Sequence, residues 1–68
     1  MKQTEMILRY LQENGSITQA EAVSEFGCYR LGARIYDLKA SGHSIAKDMV
    51  TKKNRYGRNV SFARYTLV

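Results

Sequence analysis

Residues 16–42, SITQAEAVSEFGCYRLGARIYDLKASG, hold two short helical patterns separated by a glycine and a cysteine. Thr18 opens the first. Its side-chain oxygen can accept from a free backbone N–H, and Glu21, three residues on, can reach back to the Thr18 N–H, which makes a capping box. Ala20, Val23 and Phe26 follow at three-residue spacing and put one small apolar face toward a core. Gly27 stands just past Phe26, where a left-handed C-cap residue belongs, so this helix has only about two turns. The second helix starts at Cys28. Leu31, Ile35 and Leu38 fall at i, i+4 and i+7 as a single apolar stripe, and Ser41-Gly42 ends the pattern.

At about 100° per residue, Tyr29, Ala33, Tyr36 and Ala40 lie nearly opposite that stripe. Arg30 and Asp37 flank them on one side and Gly32 on the other, while Arg34 and Lys39 sit closer to the core boundary. Alanine and glycine keep this outer face low, so Tyr29, Arg30 and Tyr36 project from it. Tyr36 is the informative residue, because a large aromatic opposite the buried stripe has no core to fill. It either covers a neighbouring loop or stacks on sugar and base edges. Arg30 is suited to a base contact, since an arginine there can donate two hydrogen bonds to guanine in the major groove. Arg34 is placed to bridge to Asp37 or Asp48, or to touch a phosphate. Two helices, a tight turn and this exposed face describe a helix-turn-helix with 29–41 as its recognition helix. Gln19, at the start of the preceding helix, is expected to anchor a phosphate with help from the helix dipole.

The flanking segments complete an α+β domain. A scaffold helix is expected over 4–14, with Thr4 as N-cap, Met6, Ile7, Tyr10 and Leu11 as its apolar stripe, and Asn14-Gly15 as its stop. After Gly42, 43–51 and 59–68 are rich in β-branched and aromatic residues, and Asn54 and Gly57 mark a turn between them. The result is a two-stranded hairpin with Ile45 and Tyr65 to Leu67 buried at its base and its distal half in solvent. In a winged arrangement Ser16-Ile17 would add a third short strand. Lys52, Lys53, Arg55 and Arg58 surround Tyr56 at 52–59. A solvated charge run is the plain reading, but next to a recognition helix such a tip can follow a phosphate backbone or enter the minor groove.

Composition bounds the function. Sixty-eight residues, 44% hydrophobic and 25% charged, suit one small folded domain, and a chain this short is not expected to enclose an enzyme-sized cleft. One histidine and one cysteine cannot supply a four-ligand zinc site. His43 reads as a surface or strand-start residue, and Cys28 as a small buried or capping residue rather than a reactive thiol. There is no glycine-rich phosphate loop, no catalytic constellation and no cofactor signature. We therefore expect no enzyme activity.

No apolar run nears the roughly 20 residues of a membrane span, and the amphipathic MKQTEMILRYLQ is not expected to be a signal peptide. A lone cysteine suits a reducing cytoplasm. The net charge is +5, and its distribution says more than its size. Residues 1–27 carry Lys2 and Arg9 against four glutamates, a net of −2, whereas 28–68 carry nine basic side chains against Asp37 and Asp48, a net of +7. Positive charge gathered in one half is the footprint of a polyanion binder.

Three helices followed by a hairpin resemble a winged helix-turn-helix domain. More narrowly, Ile17-Thr18, Glu21-Ala22, Phe26-Gly27, Arg30-Leu31, Ala33-Arg34-Ile35, Asp37-Leu38, Gly42 and Ile45 are similar to the pattern of small helix-turn-helix proteins of bacteriophages and prophages. The resemblance implies sequence-specific binding of double-stranded DNA by a transcriptional regulator. Tyr29, Arg30, Tyr36, Arg34 and Lys39 would meet bases or nearby phosphates, and Lys52, Lys53, Arg55 and Arg58 would supply salt-dependent affinity. No flanking dimerisation segment is evident, so a monomer or weak homodimer is expected. The same residues leave two alternatives: a protein-binding inhibitor of a host nucleic-acid enzyme or defence complex, such as an anti-CRISPR, and an excisionase-like or architectural DNA-binding protein.

Overall fold

In the computed structural model, which describes residues 2–68, α1 (Gln3–Asn14) leads through β1 (Ser16–Thr18) into α2 (Gln19–Phe26) and α3 (Leu31–Ala40). The chain then forms the hairpin of β2 (Ile45–Lys53) and β3 (Asn59–Leu67). The three strands make one antiparallel sheet in the order β1-β3-β2. The expected α+β architecture of three helices and a projecting hairpin is therefore present, with Ser16–Thr18 as its third strand.

Glycines end all three helices at positive φ. Gly15 closes α1 by donating to the Leu11 carbonyl, and Gly27 closes α2 in the left-handed conformation with its N–H on the Val23 carbonyl. Past α3, the Gly42 N–H reaches the Lys39 carbonyl and the His43 N–H reaches the Leu38 carbonyl, the paired bonds of a Schellman ending. Helix α1 opens a little earlier than Thr4, because the Met6 N–H already bonds to the Lys2 carbonyl. Lys2 is its N-cap and no side chain caps it.

The core is a single cluster. Ile7 and Leu11 of α1, Ile17 of β1, Ala22 of α2, Cys28 of the turn, Leu31, Ile35 and Leu38 of α3, and Ile45 of β2 are all buried. Tyr65 and Leu67 close its sheet side half-buried, as do Leu8, Tyr10 and Phe26 among the helices. One expected face is corrected: Ala22 is the buried alanine of α2 and Ala20 is exposed. Ala22 and Phe26 lie four residues apart, so the inward stripe of α2 runs through them rather than through Ala20. The base of the hairpin is tied on both sides, by Leu67 N–H to the Gly15 carbonyl and by Val68 N–H to the Ser44 carbonyl. Its distal half leaves the helices behind, and the molecule measures 39 × 22 × 20 Å.

The capping box of α2 is complete. Glu21 N–H donates to Thr18 Oγ1 at 3.3 Å, and Thr18 N–H donates to Glu21 Oε1 at 2.9 Å. The Tyr10 hydroxyl adds a bond to Glu21 Oε2 at 3.0 Å, which fastens α1 to the start of α2. Burial alone would raise the Glu21 pKa. Donors on Thr18 and Tyr10, together with the positive charge of Arg64, outweigh it and hold the carboxyl below its ordinary 4.5. A carboxylate whose folded pKa is depressed adds stability above its unfolded pKa and loses it as pH falls through the folded one. Thr18→Ala should therefore cost about 1 kcal/mol in urea unfolding. Glu21→Gln should be weaker than the parent near neutral pH, and the gap between them should close as the pH drops below about 4.5.

Candidate nucleic-acid interface

The turn between α2 and α3 is longer than the sequence pattern suggests. Cys28 is buried but lies outside α3, and so do Tyr29 and Arg30; the helix begins at Leu31 with Arg30 as N-cap. The Arg30 carbonyl accepts from the N–H groups of both Ala33 and Arg34, so the first helical turn closes there and not at Cys28. The expected helix 29–41 is thus corrected to Leu31–Ala40.

Gln19 sets this start. Its Nε2 donates to the Cys28 carbonyl at 2.6 Å and its Oε1 accepts from the Leu31 N–H at 3.1 Å. The side chain expected to hold a phosphate is instead engaged inside the fold, where it supports the turn that carries Tyr29 and Arg30.

The outer side of α3 stands free. Tyr29 is 77% exposed and Tyr36 73%, and Arg30 and Lys39 are exposed with them. Arg34 is drawn aside: its Nε lies 3.2 Å from Asp37 Oδ2, within charge attraction though not aligned as a hydrogen bond. Asp37 borders a surface depression shared with Thr4, Glu5 and Leu8 of α1, so this pair lies on the α1 side of α3. Gly32, Tyr36 and Lys39 lie on the other side by helical geometry. There the Tyr65 hydroxyl sits 3.7 Å from the place a Cβ on Gly32 would take.

The hairpin tip is ordered by its own side chain. Asn54 Oδ1 accepts from the N–H groups of Tyr56 and Arg58, while its backbone N–H reaches the Arg58 carbonyl and its carbonyl accepts from Gly57. Gly57 supplies the positive φ of 77° that this short loop needs. Arg55, Arg58 and Tyr56, the last 83% exposed, therefore sit on a built turn.

Strand register separates the wing into two faces. Lys47 pairs with Tyr65, Thr51 with Ser61 and Lys53 with Asn59 on the face that continues toward α3. Asp48 with Arg64, Val50 with Phe62 and Lys52 with Val60 form the opposite face. Lys52 Nζ stands 6.0 Å from the centre of the Phe62 ring, so this expected site residue points away from the side that meets α3. A groove of about 700 Å³ lies on that far face against the start of α2, with Val50 and Phe62 among its walls. The sequence marks Tyr65 only as a buried residue at the hairpin base and Lys47 not at all; the register pairs the two on the face that continues toward α3. Among the described residues, no carboxylate comes within 4.0 Å of Arg30, Lys39, Lys47, Lys53, Arg55 or Arg58.

The family model described as a winged helix-turn-helix domain matches residues 2–68. The chain belongs to the winged helix-turn-helix domain family, and this fold suggests DNA binding. No curated protein and no solved structure gives a significant match. Among the described residues no helix is long and apolar enough to cross a membrane, and no cluster of three or more metal-ligating side chains occurs.

Because both ends of the Gln19 amide are used, Gln19→Ala should orphan the Cys28 carbonyl and the Leu31 N–H together. We expect a loss of about 1–3 kcal/mol in urea unfolding, with the helical circular-dichroism signal of the remaining folded state retained.

Proposed function

We propose that this protein binds double-stranded DNA sequence-specifically, as a transcriptional regulator of the phage or prophage type that its residue pattern resembles. α3 enters the major groove. Arg30 and Tyr29, standing just ahead of the helix, and Tyr36 on its outer side meet base edges and sugars, with Lys39 near a phosphate. Lys53, Arg55 and Arg58 bring the wing onto the backbone or into the minor groove, with Lys52 contributing charge from the other face. Arg34, engaged with Asp37, stands at the edge of this surface, and Gln19 acts through the turn it holds.

The observation that carries the reading is the free side of α3 and of the turn before it, where two tyrosines more than 70% exposed stand among cations that have no carboxylate partner among the described residues. Solvated charge alone does not account for large aromatics held out in water. A protein-binding inhibitor would use the same tyrosines and arginines, which are enriched at binding hot spots, and the groove beside Val50 and Phe62 favours that second reading. An architectural protein would make the same DNA contacts and differ in bending the duplex.

Selection of bound duplexes from a random pool, followed by salt titration of the winner, tests the proposal. Arg30→Ala should cost about 1–3 kcal/mol on the selected site and leave other duplexes unaffected. Charge reversal at Arg55 and Arg58 should weaken all duplexes alike and flatten the salt dependence by about two units of slope. If both variants bind like the parent, or if the parent shifts no duplex while capturing a host protein in high salt with nuclease, the DNA reading fails.

A further inference from the structure

Gly32 is out of place by helical standards. It is the second residue of α3, its φ is not positive, and glycine inside a helix is less favourable than alanine. Nothing in the fold demands it. A Cβ at this position would meet only the Tyr65 hydroxyl, at 3.7 Å, which is an ordinary contact. The position is exposed, so the missing side chain leaves room for something that approaches from outside.

The neighbouring groups indicate what that is. The Tyr65 ring packs half-buried on the core, which holds its hydroxyl in place, yet no hydrogen bond of that hydroxyl occurs among the described residues. Lys47 lies directly across the ladder from Tyr65 on the same face, exposed and without a carboxylate partner. One hydroxyl donor beside an exposed glycine of α3, with a cation across the ladder from that tyrosine on the same face, lies where α3 meets the root of the wing. A single donor with a point charge matches a phosphate oxygen. It lacks the paired donors and acceptors that a base edge presents.

We propose that Gly32, Tyr65 and Lys47 form a phosphate seat. It receives the sugar–phosphate strand that divides the groove entered by α3 from the groove beside the wing. Tyr65 Oη donates to a phosphate oxygen, Lys47 supplies the countercharge, and Gly32 lets the strand come down onto the helix. The paired hydroxyls of Thr51 and Ser61, 3.2 Å apart, and Lys53 continue the same face toward the tip. The seat rests on the DNA-binding reading and gives it a fixed register between helix and wing.

Equilibrium binding of the full chain to its selected duplex over a range of salt, with thermal unfolding of the same samples, tests the seat. Gly32→Ala should raise the unfolding midpoint by a few degrees and weaken binding about tenfold, so that stability and affinity move in opposite directions. Tyr65→Phe removes no internal hydrogen bond; it should leave the midpoint in place and weaken all duplexes about five- to tenfold. Lys47→Gln should lower the salt slope by about one. The Gly32→Ala, Tyr65→Phe double variant should lose less than the product of the single losses, because both act on one phosphate. Parental affinity in Gly32→Ala and Tyr65→Phe, with the parent binding duplex, overturns the seat and leaves the DNA reading intact. A lowered midpoint in Gly32→Ala overturns the claim that the fold has no need of glycine there. Failure of the parent to bind any duplex overturns both.

Discussion

The amide of Gln19 determines where α3 begins, and the disposition of the whole exposed surface follows from that. Without it the Cys28 carbonyl and the Leu31 N–H would be left unpaired beside the core, at a cost comparable to a large share of a small domain's stability. Three consecutive residues make the junction: Ile17 is buried, Thr18 caps α2, and Gln19 holds the turn. Once α3 starts at Leu31, its rotation is settled. Leu31, Ile35 and Leu38 face inward, Arg34 and Asp37 turn toward α1, and Gly32, Tyr36 and Lys39 turn toward the wing. A turn displaced by one residue would rotate each of these by about 100° and dismantle the surface.

The same packing sorts the charges. Glu21 is taken up by Thr18 and Tyr10, Glu13 lies 3.9 Å from Arg9, and Asp37 holds Arg34. Three of the six carboxylates are thereby engaged away from the hairpin tip. Arg30, Lys39, Lys47, Lys53, Arg55 and Arg58 have no carboxylate within 4.0 Å among the described residues, so most of the surplus of 28–68 is presented as a field rather than cancelled locally. Such a field steers a polyanion and makes affinity depend steeply on salt.

Local signals in the sequence reported local structure well. The capping box from Thr18 to Glu21, the C-cap at Gly27, the Leu31-Ile35-Leu38 stripe and the Asn54–Gly57 turn each depend on neighbours within a few residues, and each is where its spacing put it. Sequence spacing is silent where a residue's partner is remote. Gln19 looked like a free polar residue at a helix start because its partners lie 9 and 12 positions away. Cys28 mimics a helical position, since it precedes Leu31 by three residues and is buried with it, although its backbone belongs to the turn. The two faces of the wing need the register between β2 and β3, which strand alternation alone does not supply. For that reason Lys52 and Lys53 looked alike in sequence and separate in space.

How the wing is built bears on what its charge can achieve. Among the described residues no third strand pairs with β3 beyond Thr18, so stiffness has to come from the hairpin itself. The nine-residue ladder, the Thr51–Ser61 contact and the Asn54 turn provide it. An arm already ordered in the free protein would lose little backbone freedom in the proposed complex, so attraction between its arginines and phosphates would not be offset by the ordering of a loop. Its root is fixed as firmly, because Tyr65 packs on the core that positions α3. Helix and wing are thus packed on one core, and in the proposed complex a duplex would have to satisfy both at a set separation. Under the proposed reading, specificity would come from the geometry between two grooves as well as from bases met by Arg30 and Tyr36.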